Sequence, residues 1–369
     1  ACLRLSGGRT HPPPPHRHPT EPNDLLHHGW AGRHPTPPTT TTWQGSTGQL
    51  PARRARSGAA RSAAGSVGAM RFLASTGPLF ARPLDWAFGV IAEAGYDGAE
   101  LMVTQDPATQ DAAEVEAAAR SEGIRPEVVH GPFLLLTRRV FGTDPIDKAR
   151  RSLELAGAVG ASLMIVHPPY RWQRGFHRWL LEGADDEAAV HGARVGVENL
   201  YPVAVGNRPV RFHRYTTAED LSPFHHVVLD TSHFGVAEVD INAAYRQLRE
   251  QTAHLHVSDH RGGPRDSHAP LGHGRLPLAS FLAQIGRDER RGLGAVGRGA
   301  TSITLELDCR RYLDDRAALV GYLRQERFKA EALLAGAPAE EVLGRPDVVA
   351  VAPSHEDDAD QPTVAPDGT

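Results

Sequence analysis

Nine ionisable residues in the middle of this chain end, or closely follow, short apolar runs. His130 ends "PEVVH", His167 ends "LMIVH", Glu198 ends "RVGVE" and Asp230 ends "VVLD", with His233 three residues on. His256 lies in "HLHVSD", Asp266 and His268 follow in "RDSHAP", and Glu306 lies in "ITLELD". An ionisable group carried at the end of an apolar segment is costly to bury without a partner. One such histidine is more often hydrogen-bonded to backbone than bound to metal, and one such glutamate can pair with a helix arginine. Six successive segments ending alike weaken those readings. If the fold gathers them, Glu198, Asp230 and Glu306 repel one another, and a divalent cation removes that repulsion. The mix of oxygen and nitrogen donors suits Mn2+, Zn2+, Co2+ or Mg2+ without choosing among them. Cysteine is no alternative ligand. The two, Cys2 and Cys309, are far apart, which argues against a disulfide framework and for a reducing, cytoplasmic setting.

The elements that must position these residues are legible as an alternation. Strand candidates are 71–76, 98–103, 126–131, 162–168, 194–200, 225–233, 253–259 and 302–308. Helical patterns fall between them. "PLDWAFGVIAEAG" has Pro83 at its start and Gly95 at its end. The helices after Asp111, Asp144 and Asp240 each begin at a residue able to cap them. "PLASFLAQIG" and "DDRAALVGYLRQERFKAEALL" complete the set, and the links after the fourth and fifth strands are less clearly helical. Such alternation implies a parallel sheet with helical crossovers. Eight units over about 265 residues fit an α/β (β/α)8 TIM barrel, for which about 250 is typical. An open doubly wound sheet would favour a glycine-rich phosphate loop after the first strand, and "STGPLFARP" is not one.

The barrel is expected over residues 70–338, between two disordered tails. Residues 1–69 are dominated by Pro, His, Thr, Arg, Gly and Ser. They read as a solvated tail or an over-extended reading frame, since the first methionine is Met70. The histidines of "HPPPPHRHPT" have no scaffold there to fix a metal geometry. Residues 339–369 are acidic and proline-containing and read as the second tail. The 40 Lys+Arg and 44 Asp+Glu nearly balance, which argues against a global pull toward nucleic acid without excluding a local basic patch. No apolar run is long enough to span a membrane.

The residues at the strand ends resemble the xylose isomerase-like barrel superfamily, whose members include sugar isomerases, epimerases and endonuclease IV. The resemblance covers roughly residues 71–335. Glu198 in "GVENL", Asp230 in "LDTSH", His256 in "HLHVSD" and Glu306 in "LELD" match the metal quartet of its isomerases and epimerases. His130, His167, His233, Asp266 and His268 match five further ligands that hold a second and third metal in the endonuclease IV group. There are departures. "HGPFLLLTRRVFG" lacks the polar DNA-loop residues of that group, "PPYRWQRGFHRW" follows His167, and His273 in "GHG" stands where many relatives carry glutamate. These weaken the nuclease reading more than the isomerase one.

The resemblance implies a divalent-metal-dependent isomerase or epimerase acting on a sugar or sugar phosphate, with Glu198 and Glu306 as the acid–base pair and no organic cofactor. His130 and His233 would orient hydroxyls. Phe133, Trp172 and Trp179 are candidates to stack on the sugar, and Arg261 or Arg265 to hold a phosphate. The alternative is an endonuclease IV-like phosphodiesterase using all nine ligands, with "RRVFG" and "HRGGPR" supplying local positive charge. The partner expected is a small carbohydrate rather than nucleic acid or membrane; oligomeric state is left open. Of the remaining histidines, His254 is expected to pack one layer below His256, and His260 to be solvated.

Overall fold

A computed structural model of the chain describes residues 70–133, 140–205, 208–292 and 302–347. Eight strands close into a parallel barrel: β1 (Arg71–Ser75), β2 (Gly98–Met102), β3 (Pro126–His130), β4 (Leu163–Val166), β5 (Arg194–Glu198), β8 (Val227–Asp230), β9 (Thr252–Val257) and β10 (Ser302–Leu305). The order around the barrel is β1-β10-β9-β8-β5-β4-β3-β2, so each strand lies beside its sequence neighbour in the barrel. The expected (β/α)8 TIM barrel is therefore the fold, and each expected strand is present within two residues at most positions. The expected tail at 1–69 and residues 348–369 of the one expected at 339–369 lie outside the described residues, as does the arginine pair of "RRVFG".

Alternation along the strands sorts side chains into two cores. Phe72, Ala74, Val129 and Met164 point outward into the large cluster shared with the helices. Leu73, Val128, Leu163, Ile165 and Val228 form a smaller, separate cluster. These take the other face and fill the barrel. One step further along the same face stand His130 after Val128, His167 after Ile165, and Asp230 after Val228. The polar site is thus the layer above an apolar plug, as barrel layering requires. Gly196 is needed in that plug, because a Cβ there would lie 2.8 Å from Val228 Cγ2.

The outer ring is built from α1 (Leu84–Glu93), α2 (Ala112–Glu122), α3 (Pro145–Val159), α4 (Arg174–Glu182), α5 (Ala184–Val190), α6 (Ala218–Leu221), α7 (Thr231–Val236), α8 (Ile241–Leu248), α9 (Leu278–Arg290) and α10 (Arg316–Ala335). The expected capping aspartates do cap. Asp111, Asp144 and Asp240 each accept from two backbone N–H groups at the starts of α2, α3 and α8. Proline and glycine bound α3 on either side. Two elements depart from expectation. A hairpin, β6 (Val203–Val205) and β7 (Arg208–Val210), follows β5. A helix α11 (Ala339–Leu343) occupies the start of the stretch expected as acidic tail. That stretch is tied down beyond its own composition: Arg345 donates to the Gly272 carbonyl at 2.8 Å and to Asp259 Oδ2 at 3.1 Å. Among the described residues no helix is long and apolar enough to cross a membrane.

Candidate active site

Four residues at the carboxyl ends of the strands meet at one point. Glu198 closes β5, Asp230 closes β8, His256 is the fifth residue of β9 and Glu306 follows β10. One ligand atom from each lies within 4.8 Å of the others. His256 Nδ1 is 2.7 Å from Glu198 Oε1, 3.3 Å from Glu306 Oε2 and 3.7 Å from Asp230 Oδ2. Asp230 divides its work. Oδ1 caps α7 by accepting from the His233 N–H at 2.7 Å, while Oδ2 is buried without a hydrogen-bond partner. Asn199 holds the Asp230 main chain on both sides, accepting its N–H at 2.7 Å and donating to its carbonyl at 3.0 Å.

The other five expected residues surround this quartet. His130 Nε2 and His167 Nε2 lie 3.2 and 3.1 Å from Glu198 Oε2. His233 Nε2 and His268 Nε2 lie 3.3 and 2.6 Å from Asp266 Oδ2. His130, His167 and Glu198 form one three-donor group, and Asp230, His233 and His268 another. His268 adopts φ +36°, a left-handed conformation that costs a histidine energy and must be held by its surroundings. The Asp308 N–H bonds its carbonyl at 2.8 Å, and Ser258 Oγ lies 3.1 Å from its Nδ1.

Burial pushes the Glu198 carboxyl up, but His256, His130 and His167 outweigh it and hold it well below the usual carboxylate range. Glu306 is raised by burial, reinforced by Glu100 and Glu198, against opposing His268 and His256. Burial also drives His167 down to about 4, whereas for His268 the charges of Asp266 and Glu306 overcome burial and lift it to about 10. Three carboxylates and an imidazole, closely spaced and shielded from water, with the Asp230 Oδ2 lone pairs unused, are a donor set that fits one divalent cation.

The aromatic expectations divide. The Phe133 ring lies 4.6 Å from that of His167, at the site. Trp172 is on the loop after β4, 59% exposed and stacked on Tyr170 at 5.0 Å. Trp179 is a correction. It belongs to α4, stacks on Phe176 at 5.9 Å and donates to Glu187 Oε1 at 2.9 Å. The chain is already helical there, and the indole packs in the outer layer rather than over the mouth. His260 is a second correction, for it is buried. Its side chain fills the space a side chain on Gly235 of α7 would take, 2.6 Å from that position, and its Nε2 lies 3.2 Å from the Gly263 carbonyl. His254 packs below His256 as expected, between Ser302 Oγ and Thr304 Oγ1. Arg261 borders a cavity of about 460 Å³ with Pro270, Asp308, Arg310 and Arg311.

Two residues at the site were not anticipated. Tyr201, just after β5, sets its ring 4.9 Å from that of His233. Glu100, inside β2, reaches across the barrel to His256 Nε2 at 2.9 Å. The available signal for Glu100 was a carboxylate in a strand otherwise made of Gly, Ala, Leu and Met.

Comparison with known proteins agrees with this geometry. The profile described as Xylose isomerase-like TIM barrel matches residues 88–293. The chain belongs to that family. An uncharacterized protein of Mycobacterium leprae is 31% identical over 225 residues, covering 56% of this chain and 80% of that one. Among solved structures, an L-ribulose 3-epimerase superposes with a TM-score of 0.52 at 16% identity, over 72% of this chain and 95% of the other. The IOLI protein with a bound zinc atom gives 0.53 at 14% identity, over 71% and 98%. At those identities the likeness is one of fold.

Proposed function

We propose that the mouth of this xylose isomerase-like barrel is the active site of a divalent-metal-dependent isomerase or epimerase acting on a small carbohydrate. The observation that carries the reading is the pairing of Glu198 and Glu306 within one quartet, their ligand atoms no more than 4.8 Å apart. They come from opposite sides of β8 and β9 in the barrel order, so they approach a bound carbon from two directions. A carbon next to a carbonyl would lose its proton to one carboxylate oxygen as the C–H electron pair passes into the carbonyl. That pair then returns to take a proton from the other carboxylate on the opposite face, inverting the centre. Glu198, Asp230, His256 and Glu306 would hold the cation, which supplies Lewis acidity to the carbonyl and its neighbouring oxygen. His130, His167 and His233 line the same space and would orient hydroxyls. Phe133 and Tyr201 offer ring faces to the apolar side of a sugar. The similar solved structures, an L-ribulose 3-epimerase and the IOLI protein with a bound zinc atom, support the reading.

A second reading has one observation in its favour. The two further donor groups share Glu198 and Asp230 with the quartet, the linked arrangement that multi-metal phosphoester hydrolysis uses. Elemental analysis of the purified protein separates the two, followed by assays on free and phosphorylated ketoses and on abasic duplex DNA. One metal ion per chain with sugar interconversion supports the proposal. Three zinc ions with strand nicking and no sugar turnover overturns it.

A further inference from the structure

Glu100 is fully buried in the middle of β2, and β1 and β10 separate that strand from β9, where its partner His256 stands. Glu100 Oε2 faces His256 Nε2 at 2.9 Å and accepts from Thr304 Oγ1 at 2.9 Å. Donor accounting fixes the protons around it. Thr304 spends its one proton on Glu100, so it must accept from His254 Nε2, 2.8 Å away. His254 Nδ1 pairs with Ser302 Oγ at 2.9 Å. This leaves His254 fully paired, a strut below the site. His256 gives its Nε2 proton to Glu100 and turns Nδ1 toward Glu198, Asp230 and Glu306.

We infer that Glu100 is the positioning residue of the metal centre: it fixes the tautomer and ring orientation of His256, so that Nδ1 is the ligating nitrogen, and strengthens that nitrogen as a donor. The inference rests on the metal-site part of the reading above. A carboxylate behind a ligating imidazole is a general means of orienting the ring and raising its basicity. Packing alone does not explain the residue. Glu100 Oε1 is buried without a hydrogen-bond partner, a cost that an apolar side chain in the same strand would avoid. Its neighbours in β2, Ala99 and Leu101, are apolar and wholly buried in the outer core.

The test compares the full-length chain with its Glu100→Gln, Glu100→Asp and Glu100→Ala variants, stripped with chelator and titrated with Zn2+ against a competing indicator. Each is also loaded with Co2+ for visible spectroscopy. Glu100→Gln keeps the shape and an accepting oxygen but loses the charge. It is expected to keep the thermal midpoint of the metal-free protein, to bind Zn2+ about 10-fold more weakly and to shift the Co2+ bands; Glu100→Ala should lose about 100-fold. Glu100→Asp, which keeps the charge on a shorter arm, should bind more tightly than Glu100→Ala. A Glu100→Gln protein with wild-type Zn2+ affinity and an unchanged Co2+ spectrum overturns the inference, even if Glu100→Ala fails to fold. That result leaves the proposed function standing, because the wild type still binds metal. A wild type that binds neither ion overturns both.

Discussion

Replacing Asp230 by Asn removes a charge from the quartet while leaving the local structure intact. Asp230 Oδ1 caps α7, and an asparagine oxygen caps as well as an aspartate one, so the helix should hold. In the metal-free protein the charge is nearly balanced locally. Two like charges at 4.8 Å, the limit within which the quartet's ligand atoms all lie, repel by roughly 3.5 kcal/mol at an effective dielectric of 20. Asp230 meets such repulsion from Glu198 and Glu306, but it is offset by His256 at 3.7 Å and His233 at 4.0 Å, whose pKa values the surrounding carboxylates push well above the usual imidazole range against the effect of burial. The metal-free variant should therefore lie within about 1 kcal/mol of wild type. Metal binding should suffer far more, because an anionic ligand becomes a neutral one. Take a 100-fold loss of affinity and a metal concentration 1,000 times the wild-type Kd. The stabilisation by metal then falls from about 4 to about 1.4 kcal/mol. For a domain of this size that is a metal-induced rise in Tm of roughly 10 °C shrinking to roughly 4 °C. Differential scanning fluorimetry with and without Mn2+ or Zn2+ reads both quantities. An Asp230→Asn protein with the full metal-induced rise would show that this carboxylate is no ligand. One that is severely destabilised without metal would show that the charge balance has been misjudged.

Other expectations concern the scaffold. At Gly286 in α9 a Cβ would stand 1.9 Å from the Leu334 carbonyl oxygen of α10, so Gly286→Ala must force the two helices apart. We expect a loss of about 3 kcal/mol in urea unfolding; a loss under about 1 kcal/mol would refute the close crossing. Arg345→Ala releases the Gly272 carbonyl and Asp259. Asp259 also receives the N–H groups of Gly272, Gly274 and Leu276, so the loop bearing Asp266 and His268 should loosen. Faster amide exchange in residues 259–276 would register this, and unchanged protection would contradict it. Burial pushes the Glu289 carboxyl up to about 7, and its Oε1 has no hydrogen-bond partner among the described residues. A raised folded-state pKa means stability is full below the unfolded value and declines as pH rises through about 7. Glu289→Gln should flatten the fall in Tm between pH 5 and 8, and equal slopes would refute the assignment.

The strands were legible because each is a local apolar, β-branched run, and the helix starts because an aspartate beside its own backbone is a local event. The hairpin β6–β7 was not, since its three-residue strands lie below any periodicity and one contains Pro209. α11 was read as tail because its composition is acidic; what orders the stretch is Arg345 reaching a loop more than seventy residues earlier in the chain. At the site, reading the last residues of the strands, together with the family resemblance, reached the nine residues that converge. It passed over Glu100 because that residue sits inside its strand and acts across the barrel on His256, 156 residues away. His260 was misread for the same kind of reason: its burial is made by the glycine surface of α7, which its own neighbours do not reveal. Trp179 was misread because its loop-like surroundings in sequence are the start of a helix.

The central claim, that two glutamates move a proton on a sugar carbon beside a bound cation, is tested most directly by hydrogen exchange. The metal-loaded protein is incubated in D2O with a panel of ketoses and aldoses, and the sugars are read by proton NMR and mass spectrometry. The account predicts one deuterium incorporated at a single carbon next to the carbonyl in at least one sugar and its epimer or isomer, abolished by chelation, with interconversion of the two lost in Glu198→Gln. Interconversion of the two sugars that persists in Glu198→Gln, or no exchange in any sugar together with cleavage of abasic duplex DNA by the metal-loaded protein, would contradict it.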